Sequence, residues 1–389
     1  MTPAARVQAA IEVLDRILAG TAAEQALTGW ARRSRFAGSR DRAAIRDHVF
    51  GVLRCKRTCA ALGGAETGRG LMLGWLRQSD TDPDTVFGAG PYAPDPLTDQ
   101  ECAAGAPPLP GAEAMDLPDW LWPRFRAALG ENAAAAATAL KFRAAVHLRV
   151  NLGKATIGAA QKVLLQDGIQ TQPHPAADTA LLVTEGARRV RQSAAYLSGL
   201  VELQDAASQA VVQTLPLRDG MRVLDYCAGG GGKTLALAAR ARVRLFAHDA
   251  APQRMRDLAG RARRAGVQVT QLQTSQLAAQ GPFDLVLCDA PCSGSGAWRR
   301  SPAGKWALTQ AGLRDLCALQ ARILSQAAPL VAPGGVLAYA TCSFLVEENA
   351  DQISGFLAQY PGWRVDAQQS WSVQDGADGF FAAHLTRDG

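Results

Sequence analysis

The sequence predicts an α/β protein: a doubly wound, mostly parallel sheet in its carboxyl-terminal half, preceded by a small α/β module and an all-helical front. Three observations lead to this. From Met221 onward, apolar strand-like runs alternate with helical stretches: MRVLDYC, VRLFAHD, VQVTQLQ, FDLVLCDAP and GGVLAYATCS. Alternating strand and helix implies parallel strands joined by right-handed crossovers. From about Val146 a shorter strand-then-helix pattern appears, VHLRVN (146–151) followed by ATIGAAQKVLLQDG (155–168). Before it, Val7, Ile11, Leu14 and Leu18 recur at the spacing of one helical face.

Taken in order, residues 5–60 read as helices, with Ile45–Arg54 repeating the amphipathic character of the first stretch. Residues 79–119 are rich in Pro and Asp and read as a linker. A helix is expected from about Trp120 through the alanine-rich run to Ala144. The segments WRVDA (363–367) and FFAAHLTR (380–387) supply last, partly antiparallel strands. The expected division is residues 1–144 for the helical front with its linker, 145–200 for the small module and 201–389 for the doubly wound domain.

Composition excludes several classes. The 389 residues are 48% hydrophobic and 20% charged, which suits a folded chain of more than one domain rather than a disordered one. Acidic residues interrupt the apolar pattern of the amino terminus, against a cleaved leader, and no apolar run reaches the roughly 18 residues of a membrane span. Eight cysteines in such a chain read as reduced cytoplasmic thiols. The pairs Cys55/Cys59 and Cys288/Cys292 lack the second Cys/His pair of a zinc site, so no metal is expected. The net charge of +6 is unevenly spread. Residues 1–60 hold eleven Lys/Arg against five Asp/Glu, while residues 61–120 hold two against ten. The basic front suits a polyanion such as RNA, or else a solvated arginine-rich helical face.

The stretch Val223–Thr234, VLDYCAGGGGKT, ends a buried strand in an acid and opens a helix through a glycine run. A phosphate-cradling loop of the form GxxxxGK[ST] requires glycine at 227, where Cys227 stands. A dinucleotide fingerprint fails at Leu235 or Thr234, depending on its register. What remains is a loop for S-adenosylmethionine: Asp225 and the glycine turn at its methionine end, and Asp249, at the tip of the next strand, for its ribose. A turn that merely packs a helix on the sheet is the plainer alternative.

Two further turns follow strands on the same edge, Asp289-Ala-Pro-Cys292-Ser-Gly and Thr341-Cys342-Ser343. Together with LRVN (148–151), LQDAASQ (203–209), VLDYCAGGGGKT (223–234), DAPCSGSGAWRRSP (289–302) and YATCSFLVEEN (339–349), they make the chain resemble the RsmB-like (Nop/Sun) RNA cytosine-carbon-5 methyltransferases. The resemblance covers nearly the whole chain. It implies a Rossmann-like class I methyltransferase domain, an RRM-like module before it and a NusB-like RNA-binding domain in front, the last resting on the helical pattern and on FGVLR (50–54).

By the same resemblance, Cys342 is the nucleophile, Cys292 assists release of the product, and Asp289 contacts base and cofactor. Lys233 positions Asp289 or the nucleophile loop, with solvent exposure as its plain alternative. Asp225, Cys227, Ala228, Gly229, Gly230, Gly231, Gly232, Lys233, Asp249 and Asp289 hold S-adenosylmethionine. The implied partner is RNA, ribosomal first and transfer RNA second, acted on by a cytoplasmic monomer with no membrane or metal. Arg299, Arg300 and Lys305 are expected on the flanking phosphates, and Trp298 or Trp306 on a neighbouring base or in the core.

The chain departs from the family at two points. Ala-Gly-Gly-Gly-Gly-Lys (228–233) replaces the usual Ala-Ala-Pro-Gly-Gly-Lys, and Thr274 stands where an acid holds the adenine. They leave open a non-catalytic RNA-binding assembly factor. A DNA methyltransferase, which would attack through Cys292, is a second alternative.

Overall fold

The computed structural model describes residues 1–387, which form two compact units. The first comprises residues 1–143 and 298–309 and is helical. Its first three helices are Pro3–Leu18, Ala23–Arg33 and Ser39–Arg54, and the hydroxyl of Thr2 caps the first. Val7, Leu14, Ile45 and Val49 bury the face that the apolar spacing marks out. Two more helices, Lys56–Gly63 and Gly68–Gln78, touch backbone to backbone. A Cβ at Gly63 would lie 1.8 Å from the Gly70 carbonyl oxygen, and one at Gly74 would lie 1.9 Å from that of Cys59. The expected helix at 120–144 is broken into Trp122–Leu129 and Ala133–Ala139, because Gly130 takes a positive φ of 54° between them.

The segment 298–309 packs inside this unit. Trp298 is 1% exposed and stacks on Phe125, with ring centroids 6.0 Å apart. Lys305 Nζ donates to the Arg54 carbonyl at 3.0 Å, Trp306 Nε1 to that of Leu53 at 2.7 Å, and Arg54 Nε to that of Arg299 at 2.9 Å. Burial brings the Lys305 pKa down to about 8. The expectation of phosphate contacts is therefore corrected for Lys305 and Arg299, both buried, and Trp298 is a core residue.

The second unit comprises residues 144–297 and 310 onward. Its smaller sheet is antiparallel, with β1 Val146–Val150, β2 Gln170–Pro173, β3 Ala180–Glu185 and β4 Val201–Leu203 in the order β2-β3-β1-β4. Helix Ile157–Gln166, capped by Thr156, joins β1 to β2, and short helical turns join β3 to β4. This is the split βαββαβ arrangement.

The larger sheet holds β5 Arg222–Asp225, β6 Arg244–His248, β7 Thr270–Leu272, β8 Phe283–Asp289, β9 Val331–Thr341, β10 Trp363–Trp371 and β11 Phe380–Arg387. Their order is β10-β11-β9-β8-β5-β6-β7, and β11 alone runs against the rest. This is a doubly wound sheet, parallel except for β11. The order reverses between β5 and β8, the switch point where such sheets bind ligands.

Buried Arg149 ties the small sheet to that switch point. Its guanidinium donates to the Gly232 carbonyl at 2.7 Å and to Gln204 Oε1, and burial lowers its pKa to about 10, so it stays charged at neutral pH. Arg149→Leu should lower stability by about 2–3 kcal/mol, because two acceptors lose a charged donor. Urea denaturation measures this, and a midpoint equal to the parent's would remove Arg149 as the tie.

Candidate active site

The carboxyl ends of β5, β6, β8 and β9 bring most of the expected residues to one edge. Asp225 ends β5 and is 1% exposed. Its Oδ2 accepts the Thr234 hydroxyl at 2.6 Å, whereas its buried Oδ1 has no donor among the described residues. Burial pushes its pKa up to about 7.

The loop after Asp225 is shaped by Gly229 and Gly231, with φ of +50° and +81°, and helix Gly232–Ala238 follows. A Cβ at Gly231 would lie 2.2 Å from Leu258. Glycine therefore serves both the backbone turn and the close packing there. Ala228 N donates to the His248 carbonyl at 2.8 Å, and Cys227 is partly buried, with burial holding its thiol well above the usual range. Gly230 is exposed at the tip of the loop, and its carbonyl accepts from Arg261.

Asp249, just past β6, is 4% exposed. Its two oxygens accept from Gly229 N and Ala251 N, each at 2.9 Å, and Arg254 lies 3.3 Å from Oδ2. An ionised carboxylate offers about four acceptor positions, so capacity remains for a ligand. Thr274 meets His248. The Tyr226 carbonyl can only accept, so His248 Nδ1 donates to it at 2.8 Å. In the neutral imidazole, Nε2 then accepts the Thr274 hydroxyl at 3.0 Å.

At the end of β8, Asp289 Oδ2 accepts from Lys233 Nζ at 2.8 Å. Lys233 is 6% exposed, so it does not lie in solvent, and its ammonium sits 4.8 Å from the Phe380 ring centroid. Beyond these strand ends, Cys292 Sγ lies 3.4 Å from Cys342 Sγ. The hydrogen bond with Cys342 and then burial push the Cys292 thiol well up, and either sulfur can be the donor of the pair.

A residue to which the sequence reading assigns no role holds the two cysteine loops together. Glu348 is fully buried. It accepts from the Ser293 amide at 2.7 Å, from Gln320 Nε2 at 3.0 Å, and from the hydroxyls of Ser293 and Ser343. Each serine follows one of the cysteines. Asn349 adds a bond from its Nδ2 to the Ser343 carbonyl at 2.9 Å. The only signal in the sequence is the Glu-Glu-Asn that closes YATCSFLVEEN, where an acid reads equally well as surface.

The family described as 16S rRNA methyltransferase RsmB/F matches residues 212–386, and its ferredoxin-like domain matches residues 117–190. The chain belongs to the RsmB/F methyltransferase family. A Klebsiella pneumoniae protein named ribosomal RNA small subunit methyltransferase B is 34% identical over 286 residues, 69% of this chain and 66% of that protein. The chain thus spans just under two thirds of the length of that RsmB/F relative. The crystal structure of PH0851 covers 100% of this chain and 99% of its own at 23% identity, with a TM-score of 0.75, a likeness of fold. A methyltransferase homolog from Pyrococcus horikoshii covers 72% of this chain and 97% of its own at 25% identity, with a TM-score of 0.63.

The raised pKa of Asp225 has a consequence for this RsmB/F-type site. An acid whose folded pKa lies above its unfolded value of about 3.8 adds stability below that value and loses it as pH climbs toward 7. Asp225→Asn should therefore flatten the fall in stability between about pH 4 and 7. Chemical denaturation across that range measures it, and parallel curves for parent and variant would contradict the buried-acid account.

Proposed function

We propose that the chain methylates carbon 5 of cytosine in RNA, ribosomal RNA first, using S-adenosylmethionine and Cys342 as nucleophile. The observation that carries this reading is the 3.4 Å approach of Cys292 and Cys342 beside the Lys233–Asp289 pair. The name of the Klebsiella relative favours ribosomal RNA. In this reading residues 1–144 are the NusB-like RNA-binding part, with linker 79–119, 145–200 the RRM-like module and 201–389 the catalytic domain. The protein acts as a monomer in the cytoplasm. No helix among the described residues is long and apolar enough to cross a membrane, and no cluster of three metal-ligating side chains occurs among them.

The residues fit the cofactor. The orphan Oδ1 of Asp225 is an acceptor that lacks a donor, the kind of group a cationic amino acid end satisfies. In this reading Asp225, residues 227–233, Asp249 and Asp289 hold the cofactor. With His248 Nε2 accepting the Thr274 hydroxyl hydrogen, the Thr274 oxygen keeps lone pairs for the adenine amine in place of the missing acid.

Carbon 5 of cytosine is a weak nucleophile, and covalent catalysis divides the difficulty. S-adenosylmethionine supplies an electrophilic methyl group. The Cys342 thiolate adds to carbon 6, and the electron pair of the 5,6 double bond becomes available at carbon 5. Lys233 occupies Asp289 Oδ2, which leaves Oδ1 to hold the edge of the base. After carbon 5 is methylated, its hydrogen departs as a proton to solvent water. The double bond re-forms and the carbon–sulfur bond to Cys342 breaks. Cys292, held as a thiol, steadies the departing Cys342 sulfur by donating its S–H. The target base must be unstacked for this attack.

Three substitutions separate these roles. Cys342→Ala should bind RNA and cofactor yet give neither product nor covalent adduct. Cys292→Ala should accumulate protein joined to RNA, seen as a slow, cofactor-dependent band on a denaturing gel. A cofactor-dependent adduct in Cys342→Ala would instead assign the attack to Cys292. Asp249→Ala should weaken S-adenosylmethionine by at least roughly tenfold in calorimetry, about 1.4 kcal/mol. Unchanged affinity would take Asp249 out of the cofactor site.

A further inference from the structure

Two aromatic side chains of the helical unit stand almost fully in solvent, Phe36 at 77% and Tyr92 at 85% exposure. Both line one cleft of about 660 Å³, floored in part by Trp30 and Ala9. That volume suits a small planar ligand. Among the described residues neither ring lies under a cation. Tyr92 is also held at some cost. Ala93 N donates to the Gly90 carbonyl at 3.2 Å, which closes a turn with Pro91 second and Tyr92 third. Tyr92 has a φ of +64° at that third position, which favours glycine. A bulky residue kept in such a conformation points to a use for its side chain.

The chain on either side of Phe36, outside the lining of the cleft, carries charge of one sign. Arg32 and Arg33 end helix Ala23–Arg33, Arg35 precedes Phe36, and Arg40 lies in the first turn of the next helix. All four arginines are exposed, and no ion pair among the described residues engages them. No acid occurs between Glu24 and Asp41. Within the cleft, Glu12 is the one carboxylate.

We propose that this cleft binds single-stranded RNA outside the reaction centre, with an unstacked base between Phe36 and Tyr92 and the flanking phosphates on Arg32, Arg33, Arg35 and Arg40. The inference rests on the RNA reading of the preceding section. Aromatic faces accept any base by stacking, and arginines beside them neutralise the backbone, so the site takes RNA with little sequence preference.

The test uses the full chain in a Cys342→Ala background, so that no adduct forms. The probes are a fluorescein-labelled oligouridylate decamer containing 4-thiouridine and a strand of equal length with abasic central positions. Phe36→Ala combined with Tyr92→Gly should weaken the oligouridylate roughly fivefold to a hundredfold and leave the abasic strand unchanged. Tyr92→Gly alone should melt no lower than the parent, because glycine suits that φ. Photocrosslinks should map to residues 30–36 and 90–92. Replacing the four arginines with Gln should weaken both strands and lower the slope of log affinity against log salt by roughly three. Unchanged oligouridylate affinity, an equal loss for the abasic strand, or a dimer that sediments only with Phe36 intact would overturn the proposal. Methylation is read separately in the parent chain, which keeps Cys342. Crosslinking at the cleft with a parent that methylates no RNA would spare the cleft and overturn the proposed reaction, and methylation by the parent without such crosslinks would do the reverse.

Discussion

Parallel pairing of β5, β8 and β9 is the constraint on which the site depends. In a parallel sheet every strand delivers its carboxyl end to the same edge, whatever lies between in sequence. The register sets Asp289 beside Ala340, so the turns that leave β8 and β9 start level. Cys292 and Cys342, fifty positions apart, then meet at 3.4 Å. Asp225, from the neighbouring β5, ends on the same edge, and Lys233, the second residue of the following helix, reaches Asp289.

Strand pairing alone would leave two loops free to drift, and Glu348 removes that freedom. A buried carboxylate is costly unless its oxygens are satisfied by good donors. Here an amide, a carboxamide and two hydroxyls satisfy it, from the segments that carry the cysteines and from the helix beneath them. Separating the loops would strand the charge, so its desolvation cost becomes a restoring force on the sulfur–sulfur distance. Asp225 is the opposite case, an acid with one oxygen unsatisfied and a pKa raised to about 7. The first carboxylate belongs to the architecture; the second is where a ligand's donor would be welcome.

The basic segment after the Asp-Ala-Pro-Cys turn shows where local chemistry misleads. Arg299, Lys305, Trp298 and Trp306 read as a nucleic-acid surface, with arginine, lysine and aromatics interleaved. In the fold they join the helical unit, where Lys305 and Trp306 donate to carbonyls at the end of helix Ser39–Arg54. A buried lysine and an exposed one have the same letter; only the unsatisfied carbonyls of a helix end, remote in sequence, decide between them. The exposed aromatics Phe36 and Tyr92 give the reverse lesson, since apolar rings would be assigned to a core.

By itself the sequence determined the order of layers and the members of the edge. Strand and helix periods are local, and Asp225, the glycine run, Asp249, Asp289, Cys292 and Cys342 each close a strand-like run, so their side of the sheet follows from chain direction alone. Two positions of the family's Ala-Ala-Pro-Gly-Gly-Lys loop differ here, Gly229 and Gly230, and the turn takes its positive φ values at Gly229 and at Gly231, which the family shares. Tertiary structure decided who meets whom. The helix contact through Gly63 and Gly74, the bond of Arg149 to the Gly232 carbonyl, the His248–Thr274 pair and the Glu348 bridge all join residues whose pairing no periodicity encodes. Hydrogen bonds and close packing act over a few ångströms, and the partners come within that range only once the whole sheet has set the register.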